Sequence, residues 1–426
     1  MKNLLLTTFV LLLLASCTAR KEDTITNPRD YNAYLAAEPA KTTSKYFKLW
    51  NSKIKADSTQ LMSFGIVAQQ YDNYFKETGD ITYLKKAEQA LDKAVAIAHV
   101  GKSGYYRALS RNYVSQHRFK EALLFAEKAR KEGSGVKESQ SLLFDVHMEL
   151  GNYDRAESYL DSIKNMSDYG YLIRLAKWND YKGDLDTTIR LMEKAAAKAE
   201  ASKNTSLMEW SYTNLADYYG HAGRIADSYE YYLKSLELNP KSNYAKKGIA
   251  WIVFSHEKNA EEAMRIMDSV TRNHQSPDYY LLKSEIADFM GDRQKQLRNL
   301  EKYMALVSND AYGEMYNTYN IKVYLQETDE VDAAMNIAMR EVRNRPTPET
   351  YSLLAYAYLK AGKERMARNI VENHIKGKTF EPEILLHSAE IYRANGQEEE
   401  VKMLKEELLG AVYELGPGSE QTINKL

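Results

Sequence analysis

The chain has 426 residues, with 58 Lys and Arg against 59 Asp and Glu, and its length allows about two or three domains. That charge balance excludes a general nucleic-acid or polybasic membrane binder, which needs a clear excess of cations. Gly 20 and Pro 8 are low for the length while Tyr reaches 33, so a mostly helical protein with short connections is expected and the tyrosines need a structural place.

In chain order, residues 1–16 open with Lys2 and an apolar run from Leu4 to Ala15. The run is too short to span a bilayer and suits a secretory signal peptide. Leu14-Ala15-Ser16-Cys17 resembles the lipobox of bacterial lipoproteins. The resemblance implies cleavage after Ser16 and acylation of Cys17, including a palmitate-type amide chain; the plain alternative is an ordinary signal peptide with a stray cysteine. Two or three acyl chains anchor a protein durably, where one does not. Thr18 stands where Asp marks inner-membrane retention in many Gram-negative lipoproteins, so an outer-membrane location is implied. Lys21-Glu22-Asp23 resembles a surface-export signal of one group of gut and gliding bacteria, and the periplasmic face and the cell surface both stay open. Cys17 is the one cysteine, so once acylated it leaves no thiol for disulfides or catalysis. Residues 17–29 read as a flexible tether carrying the acylated Cys17, and 30–64 as an N-terminal helical packing segment around "SKYFKLWNSKIKA" at 44–56.

From about residue 65 to 413 a repeat emerges. Aligning "HRFKEALLFAEKA" with "LGNYDRAESYL" starts a small-residue column: Ala87, Ala122, Ala156, Thr188, Ser228, Ala263, Gln296, Ala334, Ala367 and Val401. Each unit pairs a helix carrying Leu-Ala and a Tyr (Leu215, Ala216, Tyr219) with a turn glycine and a second helix. Gly151, Gly183, Gly223, Gly291, Gly362 and Gly396 mark such turns, and Asn239-Pro240 ends one unit. This pattern resembles the tetratricopeptide repeat family. The resemblance implies an all-α, right-handed superhelical solenoid of about ten helix pairs that binds protein partners and carries no cofactor. Gln296 and Val401 in the small-residue column predict that their two units splay or are misaligned. A longer second helix is expected around Ala199 to Ser206, and the unit at Val331 lacks a turn glycine. Residues 414–426 read as a tail or a cap over the last apolar face.

Tyr113, Tyr219, Tyr358, Tyr392 and Tyr232 are expected to pack with their hydroxyls at the solvent edge, with carbohydrate stacking as the alternative. Enzyme signatures such as G-x-S-x-G, a P-loop or H-E-x-x-H are absent from the sequence, and no metal site is assigned. Repeat register places His221 and His256 at equivalent late positions of consecutive first helices, with Asp217 one turn below His221. Arg107, Arg111, Asp145, Arg174, Lys177, Tyr181 and Trp210 share that inner face. These ten residues form the candidate groove. A carboxylate clamp of the family type needs Asn where this chain has Arg111, Asp145, Lys177 and Asp217, so a groove for an extended peptide or partner helix is expected instead.

Asp-Ser/Thr followed by an aliphatic residue or Thr resembles an O-glycosylation sequon of the same bacterial group, giving Thr24, Ser58 and Thr187 as candidates. In Asp161-Ser162-Ile163 and Asp268-Ser269-Val270 the repeat alone explains the pattern. The leading reading is a lipid-anchored, non-enzymatic scaffold binding an envelope protein or peptide, attached to the membrane through its lipid and with no nucleic-acid partner. The alternative is a glycan-binding lipoprotein of an outer-membrane nutrient uptake system.

Overall fold

The structure, a computed structural model, describes residues 24–36, 44–55 and 59–426. Cys17, Ser58, the signal peptide and Lys21-Glu22-Asp23 lie outside the described residues. Two short N-terminal helices, α1 (Pro28–Leu35) and α2 (Lys45–Asn51), precede ten helix pairs. Units one to five are α3 (Leu61–Thr78) with α4 (Ile81–Ile97), α5 (Lys102–Ser115) with α6 (Phe119–Lys131), α7 (Val136–Glu149) with α8 (Tyr153–Ser162), α9 (Tyr169–Tyr181) with α10 (Leu185–Ser202), and α11 (Thr205–His221) with α12 (Ile225–Leu238). Units six to ten are α13 (Asn243–Trp251) with α14 (Ala260–Val270), α15 (Pro277–Phe289) with α16 (Arg293–Val307), α17 (Asn317–Gln326) with α18 (Val331–Asn344), α19 (Pro348–Lys360) with α20 (Glu364–Ile370), and α21 (Pro382–Ala394) with α22 (Glu398–Gly410). A π-helical turn, Ile252–His256, extends α13, and another, Val371–Ile375, extends α20. Two short helices, α23 (Val412–Leu415) and α24 (Ser419–Asn424), close the chain.

Each pair turns on one residue with positive φ: Gly79, His117, Gly151, Gly183, Gly223, Lys258, Gly291, Asp329, Gly362 and Gly396. A left-handed residue ends the first helix and frees the next residue to start the second. From the second unit on, this residue stands five positions before the small-residue column, and every column member is buried. Small side chains there let the paired helices approach within about 8–10 Å. In unit one the same geometry starts α4 at Ile81 behind the Asp80 cap, so fully buried Leu84 holds the equivalent place and buried Ala87 lies one turn later.

Units seven and ten do not splay, contrary to the expectation from Gln296 and Val401. Both residues are only 3% exposed. Gln296 is accommodated by hydrogen bonding: Arg293 Nη1 donates to its Oε1 at 2.8 Å, and its Nε2 donates to the Glu327 carboxylate at 3.4 Å. The Gln296 backbone carbonyl accepts from Ser284 Oγ at 3.1 Å, as the Ala122 carbonyl accepts from Ser110 Oγ at 2.7 Å. The long spacing before Ser228 is taken up by the 18 residues of α10.

The flexible-tether reading of residues up to Arg29 gives way from Ile25 onward. Ile25 and Thr26 amides donate to Glu257 Oε1 at 2.9 and 2.6 Å, and the Asn27 amide donates to Tyr229 Oη at 3.1 Å. Helix α1 then inserts Tyr31 and Leu35 among Tyr229, Ile266 and Val270 of units five and six. Helix α2 packs Phe47 against Val67 and Tyr74 of α3. At the other end Ile423 of α24 covers Ala389 and Leu408 of the last unit.

The solenoid winds tightly enough for its turns to meet, an arrangement not expected of repeats that touch only their neighbours. The Gln275 amide donates to the Thr78 carbonyl at 2.7 Å, joining unit one to the connection after unit six. Ile81 and Leu84 of unit one share a core cluster with Leu300, Tyr303 and Tyr312. Lys120 of unit two reaches the Arg343 carbonyl at 3.2 Å in unit eight. A Cβ on Gly151 would stand 2.9 Å from the Pro346 carbonyl oxygen, and one on Gly183 would stand 2.6 Å from the Phe380 ring. One superhelical turn therefore takes about six units, and its inner rim is sealed along units one to five.

Candidate functional site

The sealed rim encloses an axial cavity of about 780 Å³, walled by units three to five on one side and units nine and ten on the other. A second space of about 270 Å³ shares His221, Glu381, Glu383 and Glu414 with it and extends to Asp217 and Trp251. Seven carboxylates line the larger cavity against Lys177, Arg345, Lys378 and His221. First helices supply one wall because their inner positions point at the superhelix axis, one turn apart in each unit.

The charged groups divide into paired and unpaired sets. Lys177 Nζ lies 2.7 Å from Glu149 Oε1. Burial alone pulls the Lys177 ammonium down, but Glu149 and Asp145 outweigh it and hold the pKa above its ordinary value. Glu149 responds in the opposite sense: burial pushes it up, while Lys177 and Arg345 bring it below the usual carboxylate range. His221 Nδ1 stands 2.6 Å from Glu414 Oε2. Burial lowers the imidazole, but Glu414, Asp217 and Asp180 more than compensate, so His221 is raised and favours the charged form. Asp180 and Glu381 are both raised, first by burial and then by neighbouring carboxylates. Both side chains reach solvent, so burial here means enclosure by the wound superhelix rather than contact with a dry core. Asp217 accepts from the Tyr232 hydroxyl and from Tyr244 Oη at 2.7 Å, yet burial still raises it.

Of the ten candidate groove residues, the structure brings Lys177, Tyr181, Asp217 and His221 to these connected spaces. Tyr181 stacks on Tyr153 with ring centroids 4.1 Å apart. Asp145 and Arg174 form a pair at 2.6 Å beside the cavity, and Arg174 also holds the Ser141 and Gly170 carbonyls. Arg111 is exposed but surrounded by the superhelix, so burial lowers its pKa against the pull of Asp145. Arg107 ties the loop before α7, donating to the Ser134 carbonyl at 2.9 Å and to Ser103 Oγ at 2.6 Å. Trp210 is 43% exposed, with Tyr169 edge-on at 6.4 Å. His256 ends the π-helical turn and is not among the residues lining the space around His221. Among the described residues no group of three His, Cys, Asp or Glu could hold a metal ion.

Sequence reasoning missed Arg345, Glu349, Phe380, Glu381, Glu383 and Glu414, which close the cavity from the second superhelical turn. The connection 376–381 is no longer than those at 163–168 or 271–276, and only the exposed Phe380 set between charges distinguishes it. The repeat tyrosines are packing residues, but their hydroxyls do not all reach the solvent edge: Tyr392 Oη is buried, Tyr232 Oη is bonded to Asp217, and Tyr358 is only half-buried. Tyr113, Tyr219, Tyr232 and Tyr392 are buried, and Tyr219 Oη donates to Glu193 Oε1 at 2.8 Å. Arg118 and Arg224 guanidinium groups lie 4.4 and 4.1 Å over the Tyr113 and Tyr219 rings. Thr24 is exposed, while Thr187 Oγ1 accepts from Arg190 Nη2 at 2.6 Å. Ile163 and Val270 are buried, and Ser269 Oγ donates to the Leu35 carbonyl at 2.7 Å from a buried position.

A tetratricopeptide repeat is recognised over residues 211–242, most of α11 and α12. Together with the ten stacked helix pairs, this marks the fold as an all-helical, tetratricopeptide-like solenoid. Among solved structures, the type IV pilus biogenesis factor PilW is similar at 16% identity, covering 50% of this chain and 98% of its own, with a TM-score of 0.39. A tetratricopeptide repeat protein from Parabacteroides merdae is similar at 15% identity over 56% of this chain and 93% of its own, with a TM-score of 0.38. PilF of Pseudomonas aeruginosa gives 16% identity over 50% and 96%, with a TM-score of 0.37. No curated protein matches the chain significantly. Among the described residues no helix is long and apolar enough to cross a membrane.

Proposed function

We propose that this protein is a non-enzymatic scaffold of the bacterial envelope, anchored through acyl groups on Cys17, whose axial cavity takes a segment of a protein partner. The observation that carries the reading is the cavity itself: about 780 Å³ of space, rigidly walled by packed helix pairs, with Lys177–Glu149 and His221–Glu414 pairs and an excess of carboxylates. Such a surface offers a partner charged hydrogen-bonding groups in fixed positions, and fixed groups cost little to order on binding. The cationic groups on its wall, Lys177, Arg345, Lys378 and His221, offer charge partners to a carboxylate on that segment.

Anchoring acts on the same surface. Ile25 stands eight positions after Cys17 and is already bonded to Glu257, so the acylated residue and unit six can stand no more than about 28 Å apart. The solenoid is thereby held close to the outer membrane, and a partner in that membrane meets it at raised local concentration. Chemical crosslinking of the full chain in cells, followed by purification, tests the reading. A defined protein product that weakens on Lys177→Glu supports it. No protein product, together with a glycan-array signal lost on Trp210→Ala, would replace it with the glycan-binding alternative. Metabolic labelling with a palmitate analogue, lost in Cys17→Ser, tests the anchor.

A further inference from the structure

After α22 the chain departs from the repeat pattern. Capping of the last unit is performed by α24, where Ile423 is fully buried against Ala389 and Leu408. Residues 411–417 add only Val412 and Leu415 to the edge of that cover, and between them the chain reaches units five and six before returning. The Tyr413 carbonyl accepts two hydrogen bonds there, from Trp251 Nε1 at 3.1 Å and from Ser255 Oγ at 2.7 Å. Both donors come from side chains of α13 and its π-helical turn, a local distortion that is frequent at functional sites. Two side chains aimed at one carbonyl recognise a passing backbone, not a particular residue.

Side-chain recognition surrounds this grip. The Tyr413 ring lies on Gly220, where a Cβ would come 2.9 Å from Cε1. Gly220 sits inside α11 without a left-handed φ, so close approach of that ring is what the missing side chain permits. Beside it, Glu414 pairs with His221 at 2.6 Å. Gly416, with φ +81°, then turns the chain back over the Trp251 ring. Backbone grip, aromatic seat and charge partner are the three parts of a peptide-binding groove.

We propose that Trp251, Ser255, Gly220 and His221 form such a groove, that Tyr413 and Glu414 are its internal ligand, and that the external partner presents an aromatic residue followed by a carboxylate in their manner. The proposal rests on the scaffold reading, since it names the place on the solenoid where a partner engages and what must leave first. Val412 and Leu415 remain packed against the last unit, so displacement loosens one helical turn without uncovering the cap. An internal ligand competes at an effective concentration on the order of millimolar, which depresses the apparent affinity of anything that binds in trans.

The test uses a fluorescein-labelled synthetic peptide covering residues 409–418 and the full-length protein, read by anisotropy. Tyr413→Ala is expected to bind the peptide about tenfold or more tighter than the unsubstituted chain. Adding Ser255→Ala to Tyr413→Ala is expected to remove that gain. If Tyr413→Ala fails to fold, Glu414→Gln carries the same comparison with a smaller gain in the same direction. Peptide that binds neither folded variant, or binds them and the unsubstituted chain equally, overturns the proposal and leaves 411–417 as a clamp between superhelical turns. Peptide binding as expected, with no crosslinked protein in cells, would keep the internal ligand and sink the scaffold reading instead.

Discussion

Thr26 is joined twice to Glu257: its amide donates to Oε1 at 2.6 Å and its hydroxyl to Oε2 at 3.0 Å, across 231 residues of sequence. With the Ile25 amide on the same Oε1, three donors converge on one carboxylate. Hydrogen bonds to a charged group contribute about 1.5–3 kcal/mol. Glu257→Ala is therefore expected to release residues 24–27 and speed amide exchange there, while protection of the unit-six helices is kept. Tyr31, 1% exposed with its hydroxyl on Glu262 at 2.7 Å, anchors the same arm, and Tyr31→Ala is expected to cost about 3 kcal/mol or more. Exchange over 24–36 that is already fast in the unsubstituted chain would show the arm to be undocked.

Gly183 and Gly223 separate local strain from contact between superhelical turns. Both have positive φ, at +78° and +70°, but only Gly183 faces a neighbour, the Phe380 ring. Gly→Ala at either is expected to cost about 1–2 kcal/mol for the left-handed backbone. Gly183→Ala should cost more, and Phe380→Ala should recover the excess alone. Equal costs in urea unfolding at the two sites would mean that unit four and the connection before unit ten are not in contact.

Acid should weaken the fold through His387. The ring is 4% exposed, stacked on Tyr356 at 4.0 Å, with Ser352 Oγ 3.1 Å from Nδ1. Burial, outweighing nearby Glu383, lowers its pKa from 6.5 to about 4. Its contribution is thus fully present above pH 6.5 and lost as pH falls through 4, a difference of about 3 kcal/mol. Glu285 works the other way. Its side chain is exposed yet enclosed by the wound superhelix, and that enclosure first, then Glu383, raises it from 4.5 to about 7, so its contribution is present below pH 4.5 and lost as pH rises through 7. Thermal melting of His387→Phe should be flatter from pH 6.5 to 4, and that of Glu285→Gln flatter from pH 5 to 8. Slopes unchanged in both variants would contradict these assignments.

Modification should follow exposure. Thr24 is exposed, whereas Ser269 is 7% exposed with its hydroxyl committed to Leu35. Peptide mass mapping of the native protein is expected to find any added hexose at Thr24 and none at Ser269. A glycan on Ser269 would require α1 to be undocked from α14.

The repeat was legible because each pair obeys a local steric rule. A small residue five places after a left-handed turn is a pattern that a single sequence displays. Units two, six and eight hid their turns, since His117, Lys258 and Asp329 adopt positive φ without glycine. Gln296 misled for a related reason: a polar side chain can occupy a close-packed column when Arg293 and Glu327 satisfy its amide. Lys177, Tyr181, Asp217 and His221 were found from register because first-helix positions repeat about the axis. Arg345, Glu381 and Glu414 were not, because their approach depends on how small rotations accumulate over six units. No residue-level signal encodes that sum. The docking of Thr26 and Tyr31 was hidden likewise, since a short polar arm reads as a tether until its partner is in place.

Site-specific photo-crosslinking in cells tests most directly whether the axial cavity is where a protein binds. A photoreactive phenylalanine replaces Tyr181 inside the cavity or Leu124, 48% exposed on α6. The expected result is one defined protein crosslinked from position 181 and not from 124, reduced when Lys177→Glu is added. Crosslinks of equal strength from both positions, or from 124 alone, would contradict the account.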